Sequence, residues 1–242
     1  NSLEKNVRDY EDEDKFDIIL MNPPYGGTEK KSVQQNFPTE LRDSETADLF
    51  MVEILYRLKQ NGKVGIVLPD GFLFGNDNTK VAIKKKLMEE CNLHTIIRLP
   101  GSIFAPYTSI ATNLIFFDKT GPTQETWFYR MDLPEGYKAF SKTKPVELKH
   151  MQPIIDWWNN RIEIKDKKDD ESLTETYKSK KFTVKELSDL NYNLDQCGYP
   201  VKEEIILSPK ETMDNFISKR EKLEKQLDDK LKKIIELIGD LK

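Results

Sequence analysis

Short continuous apolar runs alternate with apolar residues at helical spacing along the first two thirds of this chain, which predicts an α/β fold. The run Phe16-Asp17-Ile18-Ile19-Leu20-Met21 reads as a buried strand. Ala47, Met51, Ile54, Leu55 and Leu58 then recur every three or four residues. They predict an amphipathic helix over 46–60, capped by Ser44 or Thr46 and stopped at Asn61-Gly62, with the glycine left-handed. The β-branched run Val64–Leu68 predicts the next buried strand, ended by Pro69-Asp70-Gly71. A helix follows over 80–90, with Val81, Ile83, Leu87 and Met88 in its apolar stripe and Lys84-Lys85-Lys86 facing solvent. Leu93–Leu99 and Asn113–Asp118 read as two more strands, and Trp127-Phe128-Tyr129 as an aromatic strand on an edge.

The polar segments fill in the organisation. Residues 1–14 read as a charged lead-in, and Gly26–Glu45 as a long loop. After residue 160 the character changes: 37 of 82 residues are charged, against 43 of the first 160. This shift divides the chain into 1–160 and 161–242, with Arg161–Lys181 as an exposed linker. Ser208-Pro209-Lys210-Glu211 is a capping box that opens a long helix. Along it Met213, Phe216, Leu223, Leu227, Leu231, Ile234, Ile238 and Leu241 form a narrow apolar seam between charged flanks, the pattern of a helix laid on a partner.

Composition narrows the function classes. The net charge of −4 argues against a strongly basic, self-sufficient DNA-binding module and leaves local patches to decide. No apolar stretch is long enough to span a membrane, so no membrane partner is expected. The polar start does not resemble a signal peptide. Cys91 and Cys197 read as reduced thiols of a cytoplasmic protein, and no metal site is indicated. His94 lies inside a strand signal and is expected at the core or its rim. Trp157 and Trp158 are expected to pack against the sheet.

The most informative residues are Asn22-Pro23-Pro24-Tyr25. Prolines lack the N–H that a central strand needs, so the chain must leave the sheet at Asn22, stiff and extended. In open α/β sheets that carboxyl edge is where ligands bind. The Asn22 side-chain oxygen and a backbone carbonyl, of Asn22 or Pro23, can both accept hydrogen bonds from one planar NH₂ group. Two acceptors hold the amine's lone pair away from the ring and towards an electrophile. Tyr25 offers a face for stacking, worth about 1–3 kcal/mol per base.

This motif resembles that of amino-group methyltransferases, in particular DNA N6-adenine methyltransferases that use S-adenosylmethionine. Ala47-Asp48-Leu49-Phe50, the run Asn61–Gly75, Asn92–Pro100 and Phe104–Phe117 resemble the modification subunit of type I restriction-modification systems, so the likeness covers roughly 15–160. The resemblance implies part of a Rossmann-like methyltransferase sheet with a C-terminal helical tail. It implies methyl transfer to the exocyclic amine of a flipped-out adenine in duplex DNA. Asn22 and Pro23 then accept from the amine, Pro24 stiffens the corner and Tyr25 stacks on the base, with Asp48 and Phe50 lining the pocket. It further implies a specificity subunit bound through 208–242, and a restriction subunit in the full complex. Such enzymes carry a glycine-rich turn and an acidic ribose-binding residue ahead of the motif. Here 21 residues precede Asn22 and none is glycine, so the chain reads as the carboxyl-terminal part of such a subunit and its cofactor-binding residues stay unassigned. A non-catalytic, partner-binding fragment remains an open alternative, as does an amino-group methyltransferase acting on RNA or protein.

Overall fold

The computed structural model describes residues 1–167, 175–199 and 208–239. They fall into two units, Asn1–Pro200 and Val201–Lys242. In the first, three 3₁₀ turns lead into β1 (Phe16–Met21). There follow α1 (Lys31–Gln34), α2 (Thr46–Arg57), β2 (Leu58–Pro69), α3 (Asp70–Phe74), α4 (Asn78–Glu90), β3 (Asn92–Arg98), β4 (Thr112–Asp118) and β5 (Glu125–Arg130). The unit closes with α5 (Gln152–Asn159), β6 (Ile164–Lys165), β7 (Tyr177–Thr183) and α6 (Val184–Asp189).

The sheet is mixed, in the order β1-β2-β4-β3-β5-β7-β6. β1 runs parallel to β2, with Leu20 opposite Gly65 and Met21 opposite Ile66. β4 is antiparallel to both β2 and β3, and β5 is parallel to β3. β1, β2, β3 and β5 therefore end at one edge, at Met21, Pro69, Arg98 and Arg130. One face buries Ile66, Leu68, Ile96, Ile115 and Phe117 in a core shared with residues of α2 and α4. On the other, α5 lays Ile154 and Trp157 with Ile97 and Tyr129, and Trp158 stands edge-on to Phe116 and His94. The two tryptophans thus pack on the sheet as expected.

Several expectations need correction. β1 forms as read, but it is the outer strand and not a buried one: Phe16, Ile18 and Leu20 are 46%, 67% and 81% exposed. Its apolar run encodes cover on both faces of the sheet, and only the face carrying Ile19 is covered. The long helix ends at Arg57, and it is Asn61, inside β2, that takes the left-handed backbone (φ 62). Glu45 precedes α2 without a capping side chain, so neither Ser44 nor Thr46 plays that part. Residues 1–14 are more than a charged lead-in, because their turns bury Leu3 and Val7 in the core. The 26–45 loop is likewise packed, burying Val33, Phe37 and Leu41.

Lys84 does not face solvent. It shares a helical face with Leu87 and Met88, is fully buried, and donates to the Leu73 and Gly75 carbonyls at 3.1 and 2.6 Å. Burial lowers its pKa to about 8. The aromatic strand β5 is not an edge, since β3 and β7 flank it. The segment read as an exposed linker adds β6 and β7 to the sheet, so the division falls after Pro200 and not after 160. From α6 the chain returns across the carboxyl edge as a strap. Leu194 is buried and donates its N–H to the Leu73 carbonyl at 3.0 Å, and the Arg130 guanidinium holds the Gly198 carbonyl at 2.7 Å.

The second unit carries α7 (Pro209–Gly239), 31 residues long. The expected capping box is present: the Ser208 N–H donates to the Glu211 carboxylate at 2.8 Å, and the Glu211 N–H to the Ser208 hydroxyl at 3.3 Å. Met213, Phe216, Leu223, Leu227 and Leu231 of the seam are exposed. The seam's continuation at Ile234 and Ile238 lies beyond the described side chains, and Leu241 lies outside the described residues.

Candidate base-binding corner

Asn22-Pro23-Pro24-Tyr25 leaves β1 at the carboxyl edge, where the two prolines end the ladder. Asn22 opens onto an apolar trough of about 360 Å³ floored by Leu20, Gly65, Val67, Leu114 and Phe116. Gly65 makes the floor possible: a Cβ there would lie 3.0 Å from Leu20 and 3.2 Å from Phe116. The Tyr25 hydroxyl donates a hydrogen bond to Asn22 Oδ1, so the acceptor expected to meet an amine is occupied at rest. Burial raises the Tyr25 pKa, against the smaller opposing effect of that bond.

A second aromatic wall comes from the loop after β3. The Phe104 ring stands 6.3 Å from Tyr25, centroid to centroid, tilted by 45°. A planar ring stacked between two others needs contacts of about 3.5–4.0 Å on each side, so admitting one base requires this gap to open by about 1–2 Å and the rings to turn parallel. Successive turns hold Phe104 in place, with Ile103 N–H to Pro100 at 2.9 Å and Tyr107 N–H to Phe104 at 2.9 Å. Nothing local in the sequence marked Phe104 as a wall. Its role appears only when the fold brings residues some eighty positions apart together.

The chain after Tyr25 is anchored to α2. Thr46 N–H donates to the Gly27 carbonyl at 2.9 Å, and Glu29 N–H to Ser44 at 2.9 Å. Gly27 is required by this approach, since a Cβ would meet Thr46 Oγ1 at 2.6 Å. Behind it Lys80 gathers Asp48 at 2.7 Å, Glu45 at 3.2 Å and Asp43 at 3.6 Å. Burial opposes the Lys80 ammonium, but its bond to Asp48 and the surrounding carboxylates prevail and raise its pKa. Burial also pushes Asp48 up to about 6, against the pull of Lys80.

The structure thus brings Asn22, Pro23, Pro24 and Tyr25 together at one corner. It places the other two expected pocket residues elsewhere. Asp48 is fully buried against Lys80, and Phe50 packs half-buried on the core. The sequence reading also missed a polar cluster at the ends of β2, β3 and β4. Asn113 donates to Asp70 at 2.6 Å, and Arg98 bridges Asp70 at 3.3 Å and Asp195 of the strap. A buried asparagine opening a strand and an arginine closing the next were the available signals.

Comparison with known proteins shows the family. Residues 1–206 match the family described as N-6 DNA Methylase. The chain is 45% identical over 195 residues to the methylase subunit of the type I restriction enzyme EcoEI of Escherichia coli, covering 81% of this chain and 38% of that protein. It is 34% identical over 150 residues to the StySJI methylase subunit of Salmonella typhimurium, covering 58% and 27%. A solved chain from work on complex assembly and conformational transition of the type I R-M system superposes with a TM-score of 0.69 at 32% identity, covering 100% of this chain and 48% of that one. The chain thus spans less than half the length of these relatives.

Proposed function

Since this chain belongs to the N-6 DNA methylase family, we propose that it is the base-binding portion of a type I modification subunit, acting on the N6 amine of adenine in DNA. The observation that carries this is the corner itself, where Asn22 Oδ1 takes the hydrogen bond of the Tyr25 hydroxyl and the Phe104 ring stands 6.3 Å from that of Tyr25. A flipped adenine between the rings presents its amine to Asn22 Oδ1 and to the Asn22 or Pro23 carbonyl. The two acceptors hold both amine hydrogens in fixed directions, so the gain over solution comes from positioning. Pro23 and Pro24 keep the carbonyls from following the base.

S-adenosylmethionine is the methyl donor such a site implies, and when bound it supplies an electrophilic methyl group. The described residues do not build its pocket. Asn22 is flanked on its outer side by the unpaired edge of β1, and the glycines near it, Gly27 and Gly65, are taken up by the approach of Thr46 and by the trough floor. Methyl transfer is therefore assigned to this chain only together with polypeptide that covers that edge. The exposed seam of α7 fits a helix of a specificity subunit, in a complex that also holds a restriction subunit.

The test is methyl transfer to an adenine-containing duplex by this chain reconstituted with the complementary portion of its Escherichia coli relative. Asn22→Ala is expected to abolish transfer while cofactor affinity holds, and normal turnover by that variant would remove the role given to Asn22. S-adenosylmethionine titrated into the chain alone is expected to give no heat of binding.

A further inference from the structure

The loop between β5 and α5, residues 131–151, starts from the same carboxyl edge as the corner. It carries Lys138, Lys142, Lys144 and Lys149 against Asp132, Glu135 and Glu147, and Asp132 is already taken by Arg130 and Lys178 outside the loop, which leaves a local excess of positive charge on a chain of net charge −4. All four lysines are exposed. Lys149 pairs with Glu147 at 2.9 Å, whereas Lys138 and Lys142 have no carboxylate partner among the described residues.

A solvated lysine run needs no scaffold, and this loop has one. Ser141 and Lys144 exchange backbone hydrogen bonds at 3.0 and 3.1 Å, which sets Lys142 and Thr143 at the tip of a tight turn. Tyr137 packs edge to face on Phe140 and on His150, and those two rings are tilted by 43°, with centroids 5.4–5.8 Å apart throughout. Lys144 Nζ lies 5.1 Å over the Tyr137 ring. Phe140 is buried, and its N–H donates to Ser102 Oγ at 2.9 Å, two residues before Phe104. The basic turn is thereby tied to the loop that carries the second wall of the corner.

We propose that Lys138, Lys142 and Lys144 bind the phosphate backbone of duplex DNA beside the extruded base. The proposal rests on the DNA reading above and names the surface that serves it. Phosphate contacts of this kind fix register without reading sequence. They act through counterion release, so each steepens the salt dependence of binding by about 0.9 in log–log slope. The contact also gives the −4 chain a way to hold a polyanion next to Phe104, and a duplex seated there pulls on the loop that sets the ring gap.

The experiment measures binding of the chain to a short duplex with 2-aminopurine opposite an abasic site, between about 50 and 200 mM salt. The variant Lys138→Gln/Lys142→Gln/Lys144→Gln is compared with Lys219→Gln/Lys222→Gln/Lys225→Gln on α7. The first is expected to flatten the slope by roughly 0.9 per lysine, equally for unrelated sequences, and the second to leave it unchanged. Lys142→Gln alone, at the turn tip, keeps the test valid where the triple variant melts early. A wild-type slope in the first variant, or equal loss in both, would overturn this surface while leaving the DNA reading intact. No binding by the wild-type chain at low salt would overturn both.

Discussion

The two edges of the sheet are built on opposite rules. At one edge β6 is two residues long, and β7 behind it carries Lys178, Lys180 and Lys181. Lys178 pairs with Asp132 at 2.9 Å and Lys181 with Glu125 at 2.7 Å, so charge and brevity discourage further pairing there. At the other edge β1 offers six residues with no strand beside them, and Phe16, Ile18 and Leu20 on its uncovered face are 46%, 67% and 81% exposed. Its single charge, Asp17, is tied to Lys59 at 3.0 Å. The first edge is written to end a sheet, and the second to continue one. The trough beside Asn22 lies over β1, β2 and β4, so the candidate site sits next to the second.

Charging the open edge should have the largest effect. The chain is expected to self-associate at high concentration, and Ile18→Lys/Leu20→Lys to leave it monomeric and unable to complement a relative's missing portion. Sedimentation velocity reads this, and a monomeric wild type that complements equally well with and without the lysines would erase the contrast between edges. Removing the support behind β1 comes next. Lys80→Met leaves Asp43, Glu45 and Asp48 without their cation and is expected to destabilise the first unit by about 3–5 kcal/mol.

The pH dependence has a definite sign. Asp48 holds its proton more tightly folded than unfolded, so its contribution to stability is complete below pH 3.8 and lost as pH rises to about 6. Without Lys80 that pKa moves further up, and the variant's deficit should be greater at pH 8 than at pH 5 in urea melts. An equal deficit at both would show that Asp48 does not titrate with the cluster. The two faces of β1 then separate on a smaller scale. Ile19→Ala, on the buried side, should cost about 2–4 kcal/mol and Leu20→Ala no more than about 0.5. Similar values would mean that β1 is covered on both faces in solution. Smallest of all, Lys180→Ala on β7 is expected to shift stability by less than about 0.5 kcal/mol and to leave oligomeric state untouched.

Much of this was legible in the chain. Phe16–Met21 was recognisable as a strand and Asn22–Tyr25 as its exit, because a periodic run and two prolines are local facts. The edge position of β1 was not legible, since side chains point to the faces of a sheet and do not say how many strands flank it. Lys84 was hidden by two other lysines, although its spacing from Leu87 and Met88 puts it on the inward face. β7 was masked by its charge: Ser179 is buried between flanking lysines that keep their ammonium groups in water. The segment 100–112 could be read as returning to the carboxyl side, but the pairing of Phe104 with Tyr25 came only from the fold, because the two rings are distant in sequence.

The bond between Tyr25 and Asn22 has one more consequence. The corner at rest is closed on itself, so a guest enters by exchange and not by filling a vacancy. Whatever displaces the hydroxyl must bring a hydrogen of its own. An amine does so and can offer a second hydrogen to the neighbouring carbonyl, whereas a keto oxygen in the same place has none to give. In the proposed site the tyrosine is therefore a doorkeeper before it is a stacking surface, and it is expected to turn away bases that would leave Asn22 poorer than they found it.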